Sequence, residues 1–153
     1  MGLGLRPNYT KIHMGLIRMK FSLIIAGSRS CNHPQDFNML VDYIQQTIDF
    51  NNIKEVVSGK AKGADMLGEG YAKKHNIPIK QFLANWNKYG NKAGPIRNKQ
   101  MADYAATNNG VLIVIWDGSS RGTISMMNEA KKLSIPIHII KPNRFTTNQG
   151  QLF

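Results

Sequence analysis

Residues 20–30 read KFSLIIAGSRS, and residues 110–123 read GVLIVIWDGSSRGT. Each stretch begins as an almost continuous apolar run and ends in glycine, serine and arginine. Such runs are typical of central strands in a parallel sheet that helices cover on both faces. Shorter runs with strand composition occur between and after them. The pattern predicts five strands, at 20–26, 54–58, 78–82, 110–116 and 136–140.

Helical patterns separate these strands. In the first one, Phe37, Leu40, Val41, Ile44 and Ile48 recur at helical spacing and form one apolar stripe. The predicted helices are 36–50, 64–75, 95–107 and 123–133, and 83–94 is predicted to be a long loop. In the last helix Met126, Met127, Ala130 and Leu133 are predicted to be core residues. The alternation predicts an α/β fold: a single Rossmann-like domain with a five-stranded, mainly parallel sheet flanked by helices on both faces.

The length of 153 residues suits one domain. Residues 19–141 are predicted to form it, residues 1–18 are predicted to be an extension that is disordered or foreign to the native chain, and 142–153 a C-terminal surface tail. The lone Cys31 excludes an intramolecular disulfide and favours a cytoplasmic setting. The histidines show no metal-ligand spacing, so no metal is predicted. No apolar run approaches the roughly 20 residues that span a bilayer.

The formal net charge of +11 is large for this length and makes polyanions attractive partners, nucleic acid included. Charge alone does not identify a site. Lys73, Lys74, Lys131 and Lys132 lie near predicted helix ends, where lysines that favour the helix dipole are ordinary.

Glycine, hydroxyl and basic residues follow three of the strands, where parallel strands end at one edge of the sheet. Glycine lets a phosphate approach the backbone, the next helix offers free N–H groups, and arginine or lysine supplies charge. One such loop alone is more often a tight turn, but three at one edge favour a phosphate site. The candidates are Gly27, Ser28 and Arg29; Gly59, Lys62, Gly63, Ala64 and Asp65; and Gly118, Ser120, Arg121, Gly122 and Thr123.

The third helix adds Arg97 and Asn98, which follow Pro95 at its first turn. An arginine there is disfavoured by the helix dipole unless it serves an anion. Asp65 is either a helix-start carboxylate or a ribose contact. Trp86 and Tyr89 either stack on a base or close their loop onto the core. The sequence has no G-x-G-x-x-G motif and no P-loop spacing, and Ser28 does not lie in a G-x-S-x-G elbow.

Four motifs in order, IIAGSRS, VVSGKAKGAD, the N-W-x-KYG-x-x-AGPIRN-x-QM block and WDGSSRGT, resemble the SLOG superfamily. The match is to the small stand-alone DUF2493 proteins, also described as YspA or cpYpsA-related. The resemblance covers about residues 19–140 and implies a Rossmannoid sheet whose loops form a nucleotide pocket. It also implies relatives that act in nucleotide-signal sensing, phosphoribohydrolysis and DNA uptake. Family motif positions match Gly27 to Arg29, Gly59, Gly63 to Asp65, Gly94 to Asn98, and Gly118 with Ser120 to Thr123.

Two departures from the family pattern matter. The second loop usually reads G-G-A-R-G-A-D, whereas Lys60-Ala61-Lys62 keeps positive charge without arginine's planar fork. The phosphoribohydrolase relatives carry P-G-G-x-G-T-x-x-E, and Met126 stands at the position of that glutamate. The chain therefore favours binding over catalysis.

Three functions stay open. The first is a sensor or sequestering module for a nucleotide or ADP-ribose-like ligand, with no cofactor required. The second is an N-glycosidic hydrolase acting on a nucleoside monophosphate, with Asp65 or Asp117 as acid or base. The third is single-stranded nucleic-acid binding, for which Trp86 and Tyr89 would supply stacking surfaces. A homo-oligomer, a dimer or larger, is also predicted.

Overall fold

A computed structural model describes residues 19–145. The strands are β1 Phe21–Gly27, β2 Ile53–Ser58, β3 Ile79–Gln81, β4 Val111–Ile115 and β5 Ile137–Ile140. The α-helices are α1 Pro34–Thr47, α2 Ala64–Lys74, α3 Trp86–Tyr89, α4 Ala93–Ala106 and α5 Arg121–Lys132. Short 3₁₀ turns cover Phe50–Asn52 and Gly90–Lys92. The predicted extension at 1–18 and the end of the predicted tail, 146–153, lie outside the described residues.

The five strands form one parallel sheet in the order β3-β2-β1-β4-β5. The chain moves outward from β1 through β2 to β3, then returns to the other side of β1 for β4 and β5. The order therefore reverses between β1 and β4, the point at which a crevice opens beyond the carboxyl ends of the strands. The predicted α/β class and parallel sheet are confirmed.

The alternate side chains of the central strands feed two cores. Leu23 and Ile25 of β1 pack with α1 and α2 on one face, where Leu40 and Ile44 of α1 are fully buried. On the other face, Ile24 of β1 packs with the inner sides of α4 and α5. Because both faces are covered, the central strands need the continuous apolar runs that predict them.

Two sequence predictions fail locally. The segment 83–94 was predicted to be a loop, but it contains α3 and a 3₁₀ turn, and α4 already begins at Ala93. Asn85 starts α3, since its Oδ1 accepts a hydrogen bond of 3.1 Å from the Lys88 N–H. Leu133 was predicted to be core but is 41% exposed, because it lies just beyond the end of α5.

Residues 142–145, which belong to the predicted tail, contact the body of the domain. Phe145 packs against the core beneath α1, and the Arg144 side chain lies 4.4 Å from the centre of the Phe145 ring. The first residues after β5 are thus attached through apolar contact and through the charge of Arg144.

No helix between residues 19 and 145 combines the length and apolar character required to cross a membrane.

Candidate functional site

A cleft of about 950 Å³ opens at the carboxyl edge of the sheet. The loops that follow β1, β2 and β4 form its walls, and the beginning of α4 closes one side. Its position matches the reversal of strand order between β1 and β4, where ligands of open α/β sheets bind.

The loop after β1 is joined directly to β4. Gly27 has φ +149°, and a Cβ on it would lie 2.0 Å from the carbonyl oxygen of Ile115, so only glycine fits. Ser28 is completely buried. Its N–H donates to the Ile115 carbonyl at 2.9 Å, and its Oγ accepts the Asp117 N–H at 2.9 Å. Ser28 therefore joins the first and last loops.

Gly63 joins the second loop to the first. Its φ is +85°, and a Cβ there would lie 2.4 Å from the Ser28 carbonyl oxygen. The same carbonyl accepts the N–H of Ala64, the first residue of α2, at 3.2 Å. The backbones of the two loops thus touch without intervening side chains, which fixes the spacing between the walls of the cleft.

Asp117 organises the loop that leads into α5. Its Oδ1 accepts the N–H groups of Ser119 and Ser120, both at 2.9 Å, and its Oδ2 accepts the Ser30 hydroxyl at 3.1 Å. Burial raises the pKa of Asp117, but these N–H and hydroxyl donors outweigh it, so that the pKa is lowered. Asp117 is held as a carboxylate whose oxygens are already occupied.

Ser120 caps α5, because its Oγ accepts the Thr123 N–H at 3.3 Å and the Thr123 hydroxyl at 3.0 Å. The N–H groups of Arg121 and Gly122, at the first two helical positions, have no acceptor within the helix. No atom lies within 4 Å of where a Cβ of Gly122 would stand. Because Ser120, Arg121 and Gly122 line the cleft, this helix end faces it.

Arg97 crosses the cleft wall from α4 to the second loop. Its Nη1 donates to the Gly59 carbonyl at 2.5 Å, and its Nε donates to Asn98 Oδ1 at 3.0 Å. Asn98 Nδ2 in turn contacts Ser125 Oγ of α5 at 3.2 Å. Burial lowers the pKa of Arg97, and the nearby Arg29 lowers it further, whereas Asp65 opposes them.

Asp65 is 4% exposed, in the first turn of α2, and lines the cleft. Its Oδ2 accepts the Ala61 N–H at 3.1 Å. Burial raises the pKa of Asp65 to about 6, against the opposing effects of the Ala61 N–H and of Arg97. The two cleft carboxylates therefore differ: Asp117 stays ionised, while Asp65 is suited to exchanging a proton near neutrality.

Three cations of the cleft have no partner among residues 19–145. Arg29, Lys62 and Arg121 are exposed, line the cleft, and form neither a hydrogen bond nor an ion pair with the described residues. Within residues 19–145, the Lys60 ammonium contacts only the carboxylate of buried Glu69, at 3.6 Å. Because three loops supply these charges, their fields add within one volume, and an anion would be attracted there.

The structure brings together most of the predicted site residues. The predicted residues that line the cleft are Gly27, Arg29, Gly59, Lys62, Asp65, Arg97, Asn98, Asp117, Ser120, Arg121 and Gly122. The others, Ser28, Gly63, Ala64, Gly118 and Thr123, stand behind this lining. Ser28, Ala64 and Thr123 are at most 1% exposed, so they support the loops rather than face the cleft.

Sequence reasoning missed several lining residues. They are Ser30, Lys60, Ala61, Leu83, Ala84, Met101, Ser125 and Met126. Met126 was assigned to the core, and it is 1% exposed, but it also forms part of the cleft floor. Ser30 and Lys60 lie within the predicted loops, so including every polar residue of each loop would have found them.

Leu83, Ala84 and Trp86 form an apolar rim on one side of the cleft. Leu83 is 68% exposed and Trp86 is 51% exposed, and both line the cleft. The Trp86 ring lies 3.4 Å from where a Cβ of Gly94 would stand. Tyr89 is outside the lining, and the ammonium of Lys88 lies 5.1 Å from its ring centre. Trp86, not Tyr89, therefore offers a flat surface to a ligand.

Among residues 19–145, no cluster of three or more His, Cys, Asp or Glu side chains could hold a metal ion.

Comparisons with known proteins identify relatives of this chain. A family model described as the YspA, cpYpsA-related SLOG family matches residues 21–89, from β1 through α3. The chain is 34% identical over 87 residues to the Gene 61 protein of Mycobacterium phage D29. That alignment covers 54% of this chain and 67% of the phage protein. No solved structure matches.

Proposed function

Since the chain belongs to the YspA, cpYpsA-related SLOG family, we propose that it is a sensor or sequestering module that binds a nucleotide or nucleotide derivative in the cleft. The observation that carries the proposal is a trio of cations around one volume, Arg29, Lys62 and Arg121, which have no partner among residues 19–145. Exposed cations from three loops repel one another, and a bound anion would relieve that repulsion.

The phosphate group would lie between Arg29 and Arg121, in front of α5. The free N–H groups of Arg121 and Gly122 would donate to it, and the positive end of the helix dipole would add to the attraction. Gly122 leaves the approach open, since nothing lies within 4 Å of its Cβ position. The anion would thus be held by two guanidinium groups and two backbone donors.

The remainder of the ligand would extend toward α4 and the apolar rim. Asp65 lines the cleft, and its carboxyl group is suited to sugar hydroxyls. Asn98 also lines the cleft, but its amide already bonds to Arg97 and Ser125. The exposed face of Trp86 is suited to stacking on a base, a contact that is tolerant of base identity. The volume of about 950 Å³ is large enough for a ligand of this kind.

The first experiment denatures the purified protein and identifies released small molecules by mass spectrometry, while thermal shifts are followed with nucleotides and ADP-ribose. We expect at least one of these to raise the midpoint, because a ligand that binds only the folded state stabilises it. Arg121→Ala should remove the shift. The matched control is Lys131→Ala, which deletes an exposed charge from the same helix at its far end. A folded wild-type chain that responds to no compound and releases none would contradict the proposal.

Asp65 favours a second candidate, N-glycosidic hydrolysis of a nucleoside monophosphate. A carboxyl group that is 4% exposed in the cleft, with a pKa of about 6, can act as a general acid or base near neutral pH. Asp117 is less suited because its oxygens already accept three donors. Chromatography of free base released from nucleotides tests this candidate: Asp65→Asn should abolish release, and an inert wild-type chain would dismiss it.

The exposed Trp86 and the charge of +11 favour a third candidate, a single-stranded nucleic acid. Ionic strength separates it from a small nucleotide. Binding to a strand should weaken steeply with salt, in proportion to the phosphates neutralised, whereas a mononucleotide should respond more weakly. A fluorescent oligonucleotide titrated at several salt concentrations gives the slope directly.

A further inference from the structure

Arg144, which follows β5, reaches the loop after β1. Its guanidinium donates to both oxygens of Asp36, with 2.8 Å between Nη2 and Oδ2. The same Nη2 donates to the carbonyl oxygen of Ser30 at 2.8 Å. Arg144 therefore connects the segment after β5 to the start of α1 and to a loop of the cleft.

The ion pair with Asp36 has a structural role of its own. Asp36 is fully buried, in the first turn of α1, and its Oδ2 also accepts the His33 N–H at 3.0 Å. Burial raises the pKa of Asp36, but the hydrogen bonds from Arg144 and His33 outweigh it and lower the pKa. The hydrogen bond from Arg144 to the Ser30 carbonyl does not contribute to the neutralisation of Asp36. It instead fixes the position of Ser30 in the loop after β1.

Ser30 carries that effect to the cleft. Its hydroxyl donates to Asp117 Oδ2 at 3.1 Å, and Asp117 organises the N–H groups at the start of α5. Ser30, its neighbour Arg29 and Asp117 all line the cleft, whereas Arg144 does not. Two consecutive hydrogen bonds thus connect Arg144 to Asp117, which in turn holds the turn that leads into α5.

We infer that Arg144 is a positioning residue for the nucleotide site: by fixing the Ser30 carbonyl, it sets the places of Arg29 and Asp117 without touching the ligand. The inference rests on the proposed function. It assigns the segment after β5 a part in affinity, although that segment lies behind the cleft wall.

The test compares ADP affinities by calorimetry at a temperature where every variant is folded. Arg144→Ala would leave Asp36 buried and unpaired, so it risks unfolding. Arg144→Lys keeps a charge beside Asp36, but a single ammonium cannot reproduce a fork that serves two acceptors. We expect its dissociation constant for ADP to rise roughly threefold to tenfold, the effect of about one hydrogen bond. The matched control, Tyr43→Phe, deletes the 2.7 Å bond between α1 and His138 of β5 and should bind ADP as the wild type does.

A double-mutant cycle separates positioning from general destabilisation. In a Ser30→Ala background, which lacks the hydroxyl bond to Asp117, Arg144→Lys should have clearly less effect on ADP affinity than in the wild type. Independent effects that simply add would overturn the inference, as would an Arg144→Lys protein that binds ADP with wild-type affinity. A folded wild-type chain that binds no nucleotide would instead overturn the proposed function itself.

Discussion

The two carboxylates of the cleft show how different its two sides are. Asp117 lies on the side of β1 and β4, where N–H and hydroxyl donors surround it and lower its pKa. Asp65 lies on the side of β2 and α4, where burial raises its pKa to about 6 although Arg97 is near. On one side, hydrogen bonds stabilise the ionised form of Asp117. On the other side, burial destabilises the ionised form of Asp65.

The difference follows from local backbone geometry. The turn before α5 directs the N–H groups of Ser119 and Ser120 at Asp117, and the Asp117 carboxylate accepts both hydrogen bonds. Asp65 is the second residue of α2, which begins directly after Gly63. Buried Glu69 lies near it, and the like charge of Glu69 also raises the pKa of Asp65. The Asp117 side is therefore expected to stay rigid and charged over the physiological pH range, while the Asp65 side responds to pH.

We expect the largest effect on stability from a substitution that forces apart the loops after β1 and β2. Gly63→Ala would place a Cβ 2.4 Å from the Ser28 carbonyl at φ +85°, so we expect the free energy of unfolding to fall by about 3–5 kcal/mol. Urea unfolding measures this loss. The control is Gly70→Ala within α2, the helix that follows Gly63, where the nearest atom would be Phe37 Cε1 at 3.8 Å. That variant should gain up to about 1 kcal/mol, because alanine favours a helix interior. Equal stabilities of the two variants would show that the loops are not in contact.

Asp65→Asn should give the next largest effect, on the pH dependence of stability. The folded pKa of about 6 lies above the ordinary value of 3.8, so the folded protein binds the extra proton between these values. The cost of the buried charge is absent below pH 3.8, grows as the pH rises, and is complete above about pH 6. Raising the pKa from 3.8 to about 6 corresponds to a free energy of about 3 kcal/mol. We expect the free energy of unfolding of the wild type to fall by roughly this amount between pH 4 and pH 8, and this fall to disappear in the variant.

Urea unfolding of the wild type and of Asp65→Asn at pH 4 and pH 8 gives this difference. The contributions of the other titrating groups are the same in both proteins and cancel. A variant that differs from the wild type by the same free energy at pH 4 and pH 8 would mean that Asp65 ionises normally.

Asp117→Asn should have a smaller effect, of opposite sign. The lowered pKa means that the ionised Asp117 stabilises the fold above its unfolded pKa, and that this contribution is lost as the pH falls through the folded pKa. Asparagine keeps an acceptor but loses the charge, so the free energy of unfolding at pH 7 should fall by about 1–2 kcal/mol. The loss should shrink in acid, which unfolding curves at pH 3 and pH 7 would reveal. A loss that is the same at both would assign it to packing instead.

The strands and the cleft edge could be predicted because each depends on a local signal. The runs at β1 and β4 are almost continuously apolar because both faces of the sheet are covered, and the loops that follow parallel strands meet at one edge of the sheet. The stripe of α1 is confirmed for the same reason: Leu40 and Ile44 are fully buried at helical spacing. The family resemblance is confirmed as well.

The remaining features arise from contacts between distant parts of the chain. The helix α3 spans only four residues, too few to show periodicity, and its Trp86 packs near Gly94. Arg144 and Asp36 are 108 residues apart, and neither has a neighbouring motif that would pair them. Ser28 belongs to a loop that has the composition of a phosphate-binding loop. Its side chain is nevertheless buried, and its hydroxyl accepts a hydrogen bond from the Asp117 N–H.

An NMR titration of the ¹⁵N-labelled chain with ADP tests the central claim most directly, because it locates binding by residue. Our account predicts saturable shifts that are largest at the amides of Arg29, Arg121 and Gly122, with smaller ones at Trp86. Shifts that centre on Lys20 and Lys54, at the opposite edge of the sheet, would contradict it, as would a spectrum that neither ADP nor any other nucleotide tested changes.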